Sequence, residues 1–287
     1  MENPKVCVIM PVYNGATTIS MALRSLLDQS YTNWECVIVN DGSTDATKSI
    51  LDSIDDKRFR IIHLEKNKGR GEARQICLDH AEGKYIAYLD ADDFYHTDKL
   101  KMQVEILEEN PLIDLVGTQL LTFNSQFHPV TIRASKIHSE ILRYKLGECL
   151  HLSMATAMIR LSKAKTIKYN FKLNGGEDTD YFTKYLDGSN YINIPIVTYY
   201  YLVSPETTTY RKILQFTGNE ILRGLSIYKK TKSYSLLIIL QSSIKWIIYA
   251  CCIPVLGVNF FLLKRGVVPS EDEIKKFYKA LDMIKEQ

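Results

Sequence analysis

The sequence is poor in the features that mark unusual classes of protein. Its 287 residues include only 14 glycines and 8 prolines, and the formal net charge is +3. This composition excludes a disordered or collagen-like chain. The net charge is also too small for the basic excess expected of a nucleic-acid-binding protein. Internal repeats and low-complexity stretches are also absent from the sequence. The length allows one domain or a domain with an appendage, and we favour the second.

Paired cysteines and a leader peptide are missing as well. The six cysteines form neither a CxxC pair nor a metal-ligand spacing, and several lie inside apolar runs, which predicts a reducing cytoplasm. The chain enters a strand by Lys5 without a charged and then apolar leader, so we expect the fold to stay on the cytoplasmic side of the membrane. No GxGxxG opens the first helix, which argues against a dinucleotide-binding oxidoreductase.

Short apolar runs alternate with helical periods in the first 110 residues. Helical spacing predicts a helix over about 17–29, a second from Ser43 or Thr44, and a third that ends before Gly83. This alternation predicts an α/β fold with a mainly parallel central sheet. The four predicted strands are Lys5–Pro11, Trp34–Asn40, Phe59–Leu64 and Tyr85–Leu89.

The pattern changes after residue 110, where longer strand-like runs occur. We expect two acids, Glu177 and Asp178, to lie in the first turn of a helix, where acids are favourable with or without a function. The other predicted elements are a strand over Leu112–Phe123, a helix over Ile137–Leu146 and a strand over Met154–Leu161.

Four aspartates follow predicted strands. Asp41 comes directly after the second strand, and Asp90, Asp92 and Asp93 come directly after the fourth. Open α/β sheets bind ligands beyond the carboxyl ends of their strands. Carboxylate oxygens select hard cations such as Mg²⁺ or Mn²⁺, whose coordination is often completed by substrate phosphates. The cluster therefore predicts a divalent cation with a phosphate-bearing ligand.

Four motifs in a fixed order narrow this expectation: Pro11–Gly15, Asn40–Asp45, Asn67–Arg74 and Asp90-Ala91-Asp92. Over about residues 5–200 the chain resembles the inverting family 2 glycosyltransferases of bacterial O-antigen, capsule and exopolysaccharide assembly. The resemblance implies the GT-A nucleotide-sugar-binding fold, a UDP-sugar donor, Mn²⁺ or Mg²⁺ as cofactor, and a β-linked glycan product.

The resemblance also implies roles for individual residues on the donor side. Asp41 would bond the edge of the base, although Asn40-Asp41-Gly42 alone reads as a strand-ending turn. Arg74 would lie near the nucleotide, the alternative being a solvated helix face. The metal would be held by Asp92 with Asp90, which also faces the ribose, and Asp93 would support it. The remaining implied nucleotide-sugar contacts are Pro11, Val12, Tyr13, Asn14 and Ala91.

On the acceptor side, Glu177-Asp178 resembles the family's ED motif. The resemblance implies that Asp178 is the general base that removes the proton of the acceptor hydroxyl, with Asp180 as the reserve candidate. One region departs from the family pattern: the stretch Tyr199–Ser204 offers no arginine or histidine to close the donor site. Tyr210 and Arg211 are candidates for that task.

Two other functions fit the same fold. A nucleotidyltransferase would carry a glycine-rich basic loop after the first strand, and residues 13–16 lack it. A non-catalytic sugar-nucleotide-binding protein would not need Asp90, Asp92 and Asp178 together. Both alternatives are therefore weaker than a glycosyltransferase.

The last third of the chain is apolar with basic flanks. Residues 246–263 carry no charge, and they belong to an apolar segment, residues 236–263, which Pro254 interrupts. This predicts a segment lying in an anionic membrane surface, the alternative being a buried helical hairpin. The flanking cations are Lys229, Lys230, Lys232, Lys245, Lys264 and Arg265.

We therefore expect a GT-A domain over residues 1–205 and a helical, membrane-associating extension over residues 206–287. Within the domain, residues 1–110 would bind the nucleotide and residues 111–205 the acceptor. The expected acceptor is a glycan on an undecaprenyl-diphosphate type of lipid. The expected location is the cytoplasmic face of a bacterial inner membrane, with peripheral or monotopic attachment.

Overall fold

The first four strands and three helices lie close to the predicted positions. The computed structural model describes residues 3–133, 138–146, 148, 152–173, 175–203, 209–231, 235–257 and 266–285. The first, second and fourth strands are apolar runs that are almost wholly buried, whereas only Phe59 of the third is buried. The elements are β1 Val6–Val12, α1 Ile19–Leu27, β2 Trp34–Asn40, α2 Thr47–Asp52, β3 Phe59–His63, α3 Arg70–His80 and β4 Tyr85–Tyr88.

These four strands pair in parallel in the order β3-β2-β1-β4. The chain moves outward from β1 through β2 to β3 and then crosses back to place β4 on the other side of β1. The carboxyl ends of β1 and β4 therefore flank a point where the strand order reverses, which is the place where open α/β sheets bind ligands. The predicted donor-site motifs all follow these strand ends.

The second half of the sheet adds strands of both directions, so the prediction of a mainly parallel sheet is wrong. Among the strands of the described residues, four pairings are parallel and five are antiparallel. The elements are β5 Phe94–Tyr95, α4 Lys99–Glu109, β6 Ile113–Phe123, β7 Pro129–Arg133, β8 His138–Arg143, a 3₁₀ turn Met154–Thr156, β9 Met158–Arg160, α5 Leu161–Ala164, α6 Glu177–Leu186 and β10 Asn190–Leu202. The sheet is mixed.

One predicted helix is a strand. The stretch predicted as a helix over Ile137–Leu146 contains β8, which pairs antiparallel with β10. Residue 137 lies outside the described residues. The short, half-exposed segment gains its hydrogen bonds from a distant strand, and such a partner cannot be read from local periodicity.

Helices cover both faces of the sheet. On one face α1 and α4 pack against the strands through residues such as Leu23, Leu26 and Val104. On the other face α3 and α6 bury Cys77, Phe182 and their neighbours. The sheet is therefore the middle of three layers, which holds its strand ends in fixed positions.

Two long helices follow the sheet, α7 Tyr210–Thr231 and α8 Ser235–Leu256. The window Ile239–Leu256 is long and apolar enough to cross a membrane, with a mean hydropathy of 1.6, and only 11% of it is buried. The alternative of a buried helical hairpin therefore does not describe α8. Residues 258–263 of the apolar segment, and the flanking Lys232, Lys264 and Arg265, lie outside the described residues.

The last helix, α9 Glu271–Lys285, returns to the sheet. Its Phe277 is fully buried against Phe94, Phe123 and Tyr200. Arg24 of α1 also donates a hydrogen bond to the carbonyl oxygen of Ile284 at 2.9 Å. The helix thus shares a core with the sheet, and residues 206–287 do not form one separate extension. The predicted boundary at 205/206 falls outside the described residues.

Candidate active site

The loop after β1 is fastened to the loop after β2. Asn14 has a left-handed backbone, with φ 52°, and its Oδ1 accepts a hydrogen bond from the amide of Thr44 at 2.8 Å. The amide of Asn14 donates in turn to Oγ of Ser43 at 2.9 Å. Pro11 and Val12 end β1, and Val12 is buried. Tyr13 is 50% exposed, so of these predicted contacts it presents the most accessible face for a planar base.

Asp41 holds a loop in place. Its side chain is buried, and its two oxygens accept hydrogen bonds from the amides of Lys68 at 2.7 Å and Gly69 at 3.0 Å. Gly42, with φ 67°, allows close approach at this corner, since a Cβ there would lie 2.5 Å from the carbonyl carbon of Lys66. Asp41 thereby orders the segment that leads into α3, and its predicted bond to a base stays a prediction.

Arg74 joins the two halves of the site. It is 8% exposed, which excludes the solvated helix face as its environment. Its Nη2 donates to Oδ1 of Asp90 at 3.0 Å and its Nη1 donates to Oε1 of Glu177 at 3.0 Å. The guanidinium therefore links the end of β4 to the first turn of α6. Glu177, which is buried, is occupied by this contact.

The pKa values of the two carboxyl groups around Ala91 shift in opposite directions. Burial alone would raise the pKa of Asp90, but Arg74 and Arg70 lower it below its usual value. Burial and the charge of Asp90 raise the pKa of Asp92 to about 6. Ala91 between them is buried. Asp92 is therefore the carboxylate whose charge lacks local compensation.

These residues fit a divalent cation of the expected kind. Within the part of the chain that the structure describes, no three histidine, cysteine or acidic side chains are grouped as a complete metal cage. Mg²⁺ and Mn²⁺ sites for nucleotides are commonly built from one or two carboxylates and the phosphates of the substrate. Asp92 and Asp90 supply such a pair, and a cation would relieve the repulsion that raises the pKa of Asp92.

Asp93 lies beneath the pair of proposed metal ligands and is bonded to β10. It is fully buried, and its oxygens accept hydrogen bonds from the hydroxyl of Tyr199 at 2.7 Å and the amide of Leu202 at 2.8 Å. Burial, with the charges of Asp92 and Asp90, raises its pKa well above the usual value. Its predicted support of the metal stays a prediction. Asp93 fastens the acidic turn to β10.

The predicted base lies where expected. Asp178 is in the first turn of α6, is partly exposed, and accepts a hydrogen bond at Oδ1 from the amide of Thr179 at 2.7 Å. In the described chain, no lysine, arginine or histidine lies within ion-pair distance of Asp178. The reserve candidate Asp180 is paired with Lys184 of its own helix at 2.5 Å. Asp178 is thus the more available proton acceptor.

Two residues were missed by the sequence reasoning. The hydroxyl of Tyr199 accepts from the amide of Asp90 at 3.1 Å while it donates to Asp93, which fixes the acidic turn. Arg70, whose side chain is 67% exposed, lies 4.0 Å from Glu177. Its charge helps to lower the pKa of Asp90 and offsets part of the rise in the pKa of Asp92. Arg70 is the first residue of α3, and a cation is unfavourable at a helix N-terminus. Its position in the sequence therefore could have indicated a functional role.

The chain is similar to known proteins in sequence and in fold. The sequence model described as Glycosyl transferase family 2 matches residues 7–168, more than half of the chain. The putative teichuronic acid biosynthesis glycosyltransferase TuaG of Bacillus subtilis is 44% identical over 108 residues, which are 37% of this chain and 43% of the relative. The UDP-Glc:alpha-D-GlcNAc-diphosphoundecaprenol beta-1,3-glucosyltransferase WfgD of Escherichia coli is 34% identical over 137 residues, 48% of this chain and 54% of the relative. The chain thus spans about half the length of these relatives.

Solved structures share the fold. S. aureus TarS in complex with UDP-GlcNAc superposes with a TM-score of 0.66 at 22% identity, covering 98% of this chain and 81% of that one. The mannosyltransferase PcManGT from Pyrobaculum calidifontis in complex with GDP-Man and Mn²⁺ superposes with a TM-score of 0.62 at 18% identity, covering 100% and 76%. At these identities the likeness shows a GT-A-like fold.

Proposed function

Because this chain belongs to glycosyl transferase family 2, we propose that it transfers a sugar from a UDP-sugar to a hydroxyl group of a glycan acceptor, with inversion at the anomeric carbon. The observation that carries the proposal is the double contact of Arg74, which brings Asp90 and the first turn of α6 to one crevice. A donor carboxylate and an acceptor-side carboxylate, Asp178, thereby border the same crevice.

The donor would lie along the strand ends. Tyr13 stacks on the base, and Asp41 keeps the loop before α3 ordered beside it. Asp92 and Asp90 would hold a divalent cation, which would stabilise the negative charge that the departing diphosphate gains. Arg70 adds a second positive charge at the rim of the same site. Because Arg74 compensates the charge of Asp90, Asp92 would be the principal metal ligand.

The acceptor would approach from the side of α6. Asp178 takes the proton of the attacking hydroxyl as that oxygen bonds to the anomeric carbon from the face opposite the diphosphate. Attack from that face converts an α-linked donor into a β-linked product. Tyr210 and Arg211 remain candidates for closing the donor site.

The acceptor class rests on a relative and on the surface of the chain. WfgD acts, by its name, on GlcNAc-diphosphoundecaprenol. In this chain, α8 exposes large apolar side chains such as Leu240, Ile247 and Val255, and an apolar patch of this size suits a lipid surface or a partner. We propose a lipid-diphosphate-linked acceptor and attachment to the cytoplasmic face of a bacterial inner membrane, with the basic flanks on anionic lipid.

A direct assay tests the function. The full chain is incubated with radiolabelled nucleotide sugars and synthetic lipid-diphosphate sugars, with Mn²⁺ or with EDTA. We expect transfer or slow hydrolysis of one UDP-sugar that requires the metal and is abolished in Asp92→Ala. EDTA-resistant transfer would remove the metal from the mechanism, and release of diphosphate from a nucleoside triphosphate would favour the nucleotidyltransferase instead. Binding of UDP-sugar without turnover would favour the non-catalytic alternative.

A further inference from the structure

The inner face of α7 forms a wall beside the turn that carries the proposed base. Nδ2 of Asn219 donates a hydrogen bond to the carbonyl oxygen of Gly175 at 2.7 Å. A Cβ atom at Gly176 would lie 3.9 Å from Cε2 of Phe216, so this helix and the turn are in contact. α7 therefore borders the acceptor side of the proposed active site and also packs against α8.

A small cleft lies between this wall and α6. Its lining comprises Leu173, Gly176, Thr179, Asn219, Glu220 and Arg223. Gly176 and Thr179 directly precede and follow the Glu177-Asp178 pair in the chain. The cleft is therefore adjacent to the proposed base, on the side that faces α7.

Arg223 is a cation with unused hydrogen-bond donors at this cleft. Its side chain is only 10% exposed, and its Nη2 lies 3.5 Å from Oε1 of Glu220. Its buried Nε and Nη1 have no hydrogen-bond partner among the residues that the structure describes. A guanidinium stays charged inside a protein, and leaving its donors unsatisfied costs stability. The fold thus accepts a cost at Arg223 that an anionic ligand would remove, because guanidinium binds phosphate through paired hydrogen bonds.

We propose that Arg223 binds a phosphate of the acceptor's diphosphate, an inference that rests on the proposed function. In an acceptor whose first sugar is linked to a lipid diphosphate, the reactive hydroxyl, the phosphates and the lipid follow one another. On the protein, Asp178 is in the first turn of α6, the Arg223 cleft lies between α6 and α7, and α7 packs against α8, whose apolar surface is exposed. Glu220 lies beside Nη2, and the donors of Nε and Nη1 are left for the phosphate.

Thermal unfolding of the full chain in EDTA tests the site without donor or metal. Undecyl diphosphate should raise the Tm of the wild type, because a ligand that binds only the folded state stabilises it. Arg223→Met should keep or raise the Tm without ligand, since it removes an unsatisfied buried charge, and it should lose the ligand-induced shift. Lys101→Met removes an exposed cation of α4, away from the proposed site, and should respond as the wild type does.

Three results of this measurement would overturn the proposal. They are an undiminished shift in Arg223→Met, a large fall in its Tm without ligand, and the absence of any shift in the wild type. Equal protection by phosphatidylglycerol vesicles, lost in Arg223→Met, would assign Arg223 to a lipid headgroup and would also overturn it.

A kinetic arm separates this inference from the proposed function. The probes are GlcNAc linked to undecyl diphosphate and the neutral undecyl glycoside of GlcNAc. Arg223→Met should raise the KM for the diphosphate probe about 10- to 100-fold, with the neutral probe and the UDP-sugar unaffected. Wild-type transfer to neither probe would count against the acceptor class, whereas transfer that Arg223→Met leaves unchanged would count against Arg223 alone.

Discussion

Removal of the Arg74 guanidinium should destabilise the fold more than any exposed ion pair does. Arg74 and Glu177 are both more than nine-tenths buried and in contact at 3.0 Å. Arg74→Met would leave Glu177 as a buried carboxylate with only Arg70 nearby, at 4.0 Å. Breaking a buried pair from one side costs about 3–5 kcal/mol, so we expect the free energy of unfolding to fall by about that amount.

A double-mutant cycle isolates the contact. Glu177→Gln removes the charge that Arg74→Met leaves unpaired, so the double variant should be more stable than the sum of the two losses, by about 1–3 kcal/mol. Lys48 and Asp52 form a pair at 2.5 Å with side chains 59% and 49% exposed, and Lys48→Met should cost less than about 1 kcal/mol.

Urea unfolding followed by circular dichroism measures the free energies of unfolding of the wild type and the four variants under one condition. The interpretation of Arg74 as the link between the two halves of the site would be refuted if Arg74→Met stayed within about 1 kcal/mol of the wild type. It would also be refuted if the losses at Arg74 and Glu177 were additive, since additive losses indicate sites that do not interact.

Four further outcomes are expected. Burial and a neighbouring carboxylate raise the pKa of Asp92 to about 6, so Mn²⁺ affinity, measured by titration calorimetry, should fall about tenfold per pH unit below pH 6. For the same reason the free energy of unfolding of the metal-free protein should fall by about 2–3 kcal/mol as pH rises from 4 to 6, because in that window the folded state keeps the proton that the unfolded state loses. Asp178→Asn should lower kcat about a hundredfold with UDP binding intact, while Asp180→Asn should have little effect; the reverse result would move the base to Asp180. Arg70→Gln should weaken binding of UDP about tenfold and leave binding of uridine unchanged, and equal losses for both would exclude a contact with the diphosphate. Phe277→Ala should lower the free energy of unfolding by about 3–5 kcal/mol, and a near-neutral result would show that α9 is not part of the core.

The first half of the fold was predictable because its signals are local. β2 spans Trp34–Asn40 as predicted, since an apolar, β-branched run can only be a buried strand in this pattern. The first turn of α6 at Glu177 was also placed correctly. The family resemblance then predicted which strand ends would carry the candidate site. It could not predict in which direction each side chain points.

Long-range contacts account for the rest. β8 was mistaken for a helix because its pairing partner, β10, lies almost fifty residues away. The burial of Asp93 depends on Tyr199, which comes from the same distant strand. Nothing in residues 271–285 alone shows that Phe277 would complete a core begun by Phe94. Arg223 follows the same rule, since the absence of described partners for its Nε and Nη1 arises only in the folded chain.

The return of α9 to the sheet limits how α8 can meet a bilayer. If α8 crossed the hydrocarbon, its end at Leu256 would lie on the far side from the sheet. The backbone pairing of Val267 with Ile132, at 2.9 Å, puts the chain beside the sheet again eleven residues later. Eleven residues are about half the length that a helix needs to recross about 30 Å of lipid, and a membrane does not tolerate a shorter, extended crossing with unpaired backbone groups. If α8 contacts lipid, we therefore expect the contact to be made from one leaflet, with the helix lying along the surface and the attachment reversible.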